Sequence, residues 1–351
     1  MTGAGRADGL RLIETAAIAA AGAGVFTVLR IPAGAILGAL LFSAAAALSG
    51  RRLGWPAPLR NLLFFVTGVG AGASVTPAAL KAAQVWPLSI LALVAATLLM
   101  WLAGALAFRR LSGVDRRTAA LATAPGALSA VMVLSEEQGA DVVSVAVAQT
   151  LRISSLVAVA PLALGLGHSA PAASHAVSGF PPALAWGALL AAAVAGWRLA
   201  VWLKWPVPVF LGALLGSGLL HGGGLVSVTL PPWIVQAAAA GLGAVIGSRF
   251  SGIRVRDLVT LLPASLGTLA IMAAIGVPAG ALVGWWIGVG PVPGLMAFAP
   301  GSMEMMIAVS LSLNAQPAYV AAHHVVRTLL LLALLPAMAA RWPIREIRPP
   351  A

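Results

Sequence analysis

The feature that most limits this chain is a succession of apolar runs, each near the length that crosses a lipid bilayer. They fall at about 11–29, 33–48, 60–78, 86–108, 118–138, 142–166, 183–203, 207–222, 233–249, 258–288, 292–313 and 317–340. A helix of about 20 apolar residues spans a hydrocarbon core of about 30 Å. Barrel strands would be shorter and would alternate apolar with polar residues. With 60% hydrophobic and 9% charged residues, the chain has too little polar material to cover a soluble domain of 351 residues. The expected class is an all-α polytopic membrane protein with the bilayer as its main partner. Its 39 glycines suit close helix packing in lipid. The absence of cysteine excludes disulfides and thiolate chemistry. The net charge of +12 sits mostly in short loops between apolar runs, so the positive-inside effect explains it and no nucleic-acid partner is expected.

The chain repeats itself. Leu121–Pro161 aligns with Met296–Pro336 at an offset of 175 without a gap, with 12 of 41 positions identical. Pro125 meets Pro300, Gly126 meets Gly301, Arg152 meets Arg327 and Pro161 meets Pro336. Upstream, Leu37-Gly38-Ala39-Leu40-Leu41 meets Leu211-Gly212-Ala213-Leu214-Leu215 at an offset of 174. The expected organisation is membrane repeat 1 over 10–166, a linker over 167–181 and membrane repeat 2 over 182–341. Met1–Ala35 aligns with the first run of the second repeat, so it is read as a helix and not as a cleaved signal.

Loop charges give the expected topology. If all twelve runs cross, Lys and Arg divide as 12 inside (6, 11, 51, 52, 60, 109, 110, 116, 117, 341, 345, 348) and 6 outside (30, 81, 204, 249, 254, 256). If the two Pro-Gly runs enter and leave on one side, each repeat crosses five times and the second is inverted. The division becomes 16 against 2, which the positive-inside rule favours, with both termini cytoplasmic. A full span kinked at Pro-Gly is the alternative.

Ionisable groups inside such runs are costly and mark function. Pro125 and Pro300 interrupt helical bonding, Gly126 and Gly301 allow an unusual backbone, and a new helix starts near Ala127 or Ser302. Paired interruptions at matching positions point to a transporter's midplane site. Glu304 is the carboxylate well inside an apolar run; it either carries a proton or satisfies amides at the helix start. Arg152 and Arg327 each cost about 2.5–3.5 kcal/mol at mid-depth. They either brace the carbonyls of a broken helix or touch a ligand directly. His323 and His324 lean towards Arg327, where the first repeat has Ala148 and Gln149, and a histidine there could relay protons. His168, His175 and His221 read as loop residues. Adjacent histidines diverge on a helix, so no metal site is expected.

The doubled Ala-Pro-Gly run followed by an Arg-bearing helix carries a family resemblance. Ala124-Pro125-Gly126 with Arg152, and Ala299-Pro300-Gly301 and Met303-Glu304-Met305 with His323, His324 and Arg327, resemble the bacterial AbrB-type membrane family over about 10–341. The chain departs from the family's second glycine at Ala127 and Ser302, and from Glu-Met at Ser129-Ala130. The resemblance implies an inner-membrane protein, and the family name implies gene regulation; some members are labelled ammonia monooxygenase. No nucleophile, metal set or cofactor motif supports an enzyme. The expected function is secondary transport of a small polar or anionic solute or ion between the repeats. A membrane-embedded regulator is the alternative, and a homo-oligomer stays open.

Overall fold

The computed structural model describes residues 3–126, 128–165 and 182–339, and among these the only regular structure is helical. The linker 167–181, with His168 and His175, lies outside the described residues, as do Ala127 and the basic C-terminal stretch. The first half holds α1 (Gly3–Val28), α2 (Gly34–Leu48), α3 (Ala57–Ala73), α4 (Pro77–Ala82), α5 (Trp86–Ser112), α6 (Arg116–Thr123), α7 (Leu128–Glu137) and α8 (Val142–Gly165). The second holds α9 (Pro182–Trp202), α10 (Pro208–Gly222), α11 (Pro232–Gly247), α12 (Val255–Trp286), α13 (Pro291–Phe298), α14 (Met303–Ser312) and α15 (Pro317–Ala339).

Seven helical stretches are long and apolar enough to cross a membrane. Ten crossings were expected. The shortfall lies in α2 and α10, of 15 residues, and α3, of 17, which rise only about 22–26 Å. Both α2 and α10 are largely buried against other helices, so they meet protein where a lipid-facing helix would need full length. A second difference is local. The expected loop near 79–85 is helical, because Pro77 occupies the first turn and Thr76 Oγ1 accepts from the Ala79 amide at 3.1 Å.

Two bundles form, each with helices from both halves. One contains α1, α2 and α3 with α9, α10 and α11; the other contains α5, α6 and α8 with α12, α13 and α15. In the first, glycines let backbones touch. A Cβ on Gly68 would lie 2.5 Å from Phe210 O, and one on Gly243 would lie 2.2 Å from Ile36 O. These are one contact with the halves exchanged. Gly72 against Leu214 and Ser217, and Gly247 against Leu40 and Ser43, repeat it one turn on. The turn after the first helix of each half is also matched. Arg30 and Ala33 have φ of 55° and 50°, and their counterparts Lys204 and Val207 have 53° and 46°.

In the second bundle α5 and α12 run antiparallel. Gly104 faces Met272, and Gly276 faces Met100. Each Pro-Gly run is a hairpin that returns to its starting end. The Gln316 amide donates to Val289 O at 2.8 Å, joining the end of α14 to the start of α13. At the start of α6, Arg117 Nη1 donates to Gln138 O at 3.0 Å, and the Asp141 amide donates to Thr118 Oγ1 at 3.0 Å. Asp141 also caps α8, accepting from the Val143 and Ser144 amides at 3.0 and 3.2 Å. His221 is not a loop residue: it is buried in α10, whose helix continues through it to Gly222, and its Nε2 reaches Val228 O at 3.0 Å.

Candidate functional site

Helix α13 ends at Phe298 and α14 begins at Met303, leaving the carbonyls around Pro300 without helical partners. Arg327, fully buried on α15, meets that need. Its Nη1 donates to Ala299 O at 2.6 Å and its Nη2 to Gly301 O at 2.8 Å. His324 completes the brace. Met296 O can only accept, so His324 Nε2 donates to it at 3.0 Å. Arg327 can only donate, so His324 Nδ1 accepts from its Nη2 at 2.5 Å. The ring is thereby held neutral in one tautomer, and taking up a proton would break its bond to Arg327. A relay through His324 conflicts with this geometry.

The first half builds the same brace from different atoms. Arg152 Nη2 donates to Ala124 O at 3.0 Å, and Nη1 reaches Ala122 O at 3.5 Å. Gln149 stands where His324 does. Its Nε2 donates to Leu121 O and Ala124 O at 2.9 and 3.1 Å, and its Oε1 accepts from Arg152 at 2.6 Å. Of the alternatives for the arginines, the brace is the one realised in these contacts. Gly126 needs its glycine for a φ of 120°; at Gly301 a Cβ would lie 2.7 Å from Met306 Cγ, so that side chain would have to shift. Pro125 and Pro300 are buried in the breaks. The first break faces the helix that braces the second: a Cβ on Gly126 would lie 3.7 Å from Leu331 and 3.9 Å from Thr328 of α15, and the Arg152 and Arg327 charges act on each other.

His323 is set apart from the brace. Its Nε2 lies 2.7 Å from Ser89 Oγ, its Nδ1 donates to Tyr319 O at 2.9 Å, and its ring packs beside Tyr319, Trp86 and Phe298. Glu304 is the second residue of α14, only partly enclosed, with Ser302 as a hydroxyl partner and Arg249 as the cation acting on it. Among the described residues no three His, Asp or Glu side chains converge as a metal-ligand set.

A large opening lies elsewhere. A cavity of about 870 Å³ is lined at the α1–α2 turn by Thr27 and Arg30, on α3 and its exit by Gly70 and Ser74, and on α11 by Val235 and Gln236. Leu311, Asn314, Gln316 and Tyr319, around the end of α14 and the start of α15, close it, with Trp86. Among the described residues Arg30 is the one charged side chain in the lining. None of Pro125, Gly126, Gln149, Arg152, Pro300, Gly301, Ser302, Glu304, His323, His324 and Arg327 lines it. The sequence reading found the breaks and missed the cavity. The available signal was Arg30, a cation kept on the side that the loop count leaves almost uncharged.

Comparison with known proteins gives the family. A family profile described as "Transition state regulatory protein AbrB" matches residues 37–343. The chain belongs to the AbrB family. It is similar to "Putative regulator AbrB" of Escherichia coli (strain K12), 26% identical over 321 residues, covering 90% of this chain and 91% of that protein. It is also similar to "Uncharacterized protein YhjN" of Bacillus subtilis (strain 168), 32% identical over 250 residues, covering 65% of this chain and 64% of that protein. This family member therefore spans just under two thirds of the length of YhjN.

Proposed function

We propose that the chain is a secondary transporter of small anionic solutes in the cytoplasmic membrane, built from two inverted repeats, 10–166 and 182–341. The observation that carries the reading is the cavity of about 870 Å³, lined by both halves at the seam between the two bundles, with Arg30 its single charge. A cavity with a cation, amides and hydroxyls and no carboxylate suits an anion. Inversion is supported by α5 and α12, counterparts that run antiparallel at their contact. A two-fold axis relating them lies across the helices, in the membrane plane. Each broken hairpin then enters from its own side, which is the arrangement of inverted-repeat carriers.

Proteoliposome uptake of radiolabelled succinate, lactate and sulfate under an imposed pH gradient tests the reading. Arg30→Gln is expected to lower uptake about tenfold, the worth of one charge-assisted hydrogen bond. Uptake that is absent for every solute, or that ignores Arg30→Gln, overturns it. The printed name of the Escherichia coli relative favours a second reading, a membrane-embedded regulator. That reading predicts anion binding without flux in the same vesicles.

A further inference from the structure

Helix α14 carries three residues on one face, Glu304, Ala308 and Leu311, spaced by four and three. Leu311 lines the large cavity. Ala308 and Leu311, with Val66, Thr67 and Gly70 of α3 and Val235, Ala238 and Ala239 of α11, enclose a void of about 10 Å³, enough for about one water. This void shares Gly70, Val235 and Leu311 with the lining of the large cavity and lies beside α14 on the Glu304 side of Leu311. Glu304 stands about 10 Å further along the helix from Leu311. There its charge acts on that of Arg249, which follows α11. Among the described residues Arg249 Nη1 is sealed from solvent and has no hydrogen-bond partner, and the positive charge of Arg60 on α3 also acts on it.

This pair exists in one half only. At the offset of 175, Glu304 corresponds to Ser129 and Arg249 to Ser74. Both charges are replaced together, as expected of partners. Ser74 and Val235 line the open cavity, and their counterparts are Arg249 and Arg60. Exchange of the two halves' conformations would therefore put Arg249 and Arg60 in the lining of a cavity on the opposite face.

We propose that Arg249 is the anion-binding residue of that opposite-facing state, and that the solute reaches it by displacing Glu304, which takes up one proton as the anion arrives. This rests on the transport reading above and supplies its coupling. The incoming anion takes the guanidinium, the freed carboxylate takes a proton from water, and the site's net charge is unchanged. One proton therefore travels with each anionic charge bound at Arg249. The helices packed on α14 carry few competing groups. They are Arg60 on α3, Arg152 on α8, and Tyr319, His323, His324 and Arg327 on α15, while α11 and α13 carry none. Arg152, His324 and Arg327 are spent on the breaks, and His323 on Ser89 and Tyr319.

The test is thermal stabilisation of the purified full-length protein by succinate, lactate, sulfate or phosphate, titrated across the pH range. In the wild type the apparent affinity of the binding anion should rise as pH falls, by up to about tenfold per pH unit, the limit for one linked proton. In Glu304→Gln the dependence should shrink below about twofold over the same range. Arg249→Gln should weaken binding about tenfold or more. If Arg249→Gln does not fold, the double variant Glu304→Ser with Arg249→Ser, which copies the first half, keeps the charge balance; it should be stable and have lost the pH-dependent affinity. Full pH dependence in Glu304→Gln, or unchanged affinity in either Arg249 variant, overturns the inference. If those results coincide with Arg30-dependent flux, the transport reading survives them. If no anion stabilises the wild type at any pH, both fall.

Discussion

The two broken hairpins share a frame and differ in chemistry. Both run into the bundle, stop at Ala-Pro-Gly, turn back to their starting end, and have their free carbonyls held by an arginine eleven residues into the next long helix. Around that frame the first half uses Gln149, Ser129 and Ser74 where the second uses His324, Glu304 and Arg249. The arginines and the Pro-Gly breaks are what the two halves have in common, and the contacts the arginines make are with the broken helices' own carbonyls. Chemistry particular to one half is the better guide to function. His324 falls on the structural side of that line, since an amide does its work in the other half.

The largest expected effect separates the two braces. Arg327→Ala strands two buried carbonyls and should cost about 2–6 kcal/mol at about 1–3 kcal/mol each. Arg152→Ala should cost less, because Gln149 still serves Ala124 O and the Ala122 bond is long at 3.5 Å. Unfolding of the two variants in detergent, read as midpoint shifts, checks the order; a larger shift for Arg152→Ala would break the comparison. Next come the matched glycine contacts. Gly68→Val and Gly243→Val should each cost about 1–3 kcal/mol or more, because the neighbour is backbone and cannot yield. Gly70→Ala at the seam should be near neutral, since its nearest neighbour is the Leu311 side chain at 3.6 Å. Equal loss at all three would show that the seam is packed as tightly as the bundle.

A smaller effect tests the exchange of Gln for His directly. His324→Gln should change stability by under about 1 kcal/mol, whereas His324→Leu, which leaves Met296 O unpaired, should cost about 1–3 kcal/mol. The smallest lies at the hairpin entrances. Asp115 caps α6 through the Arg117 and Thr118 amides, while α13 begins after Gly290 without a side-chain cap. Burial pushes the Asp115 carboxyl up, but hydrogen bonds from Thr118 and Arg117 outweigh it and hold the group below its ordinary 3.8. A lowered folded value means that the cap stabilises above the ordinary value and that this is lost as pH falls through the folded one. Asp115→Ala should therefore cost about 1 kcal/mol near neutrality. The gap from wild type should close in acid, when unfolding is followed down the pH scale.

The sequence exposed whatever violates an apolar pattern. Pro125-Gly126 and Pro300-Gly301 interrupt their runs, and Arg152 and Arg327 are too costly at mid-depth to be incidental, so breaks and arginines were readable before any fold was known. What each arginine holds was not readable, since carbonyls have no letter in a sequence. The cavity was hidden for a related reason. Its wall is Gly70, Ser74, Gln236, Gln316 and their neighbours, ordinary helix-end residues that only tertiary packing gathers. Arg249 read as one more loop cation, because its partner Glu304 lies 55 positions away on another helix.

The central claim is that the two hairpins enter the membrane from opposite sides. Because the chain contains no cysteine, single cysteines report without background. Glu137→Cys and Ser312→Cys place a thiol at corresponding ends of α7 and α14, both exposed in the structure. Labelling with a membrane-impermeant maleimide in sealed right-side-out and inside-out vesicles should mark Ser312→Cys from the outside and Glu137→Cys from the inside. Labelling of both from the same side would contradict the inverted arrangement and the transport mechanism built on it.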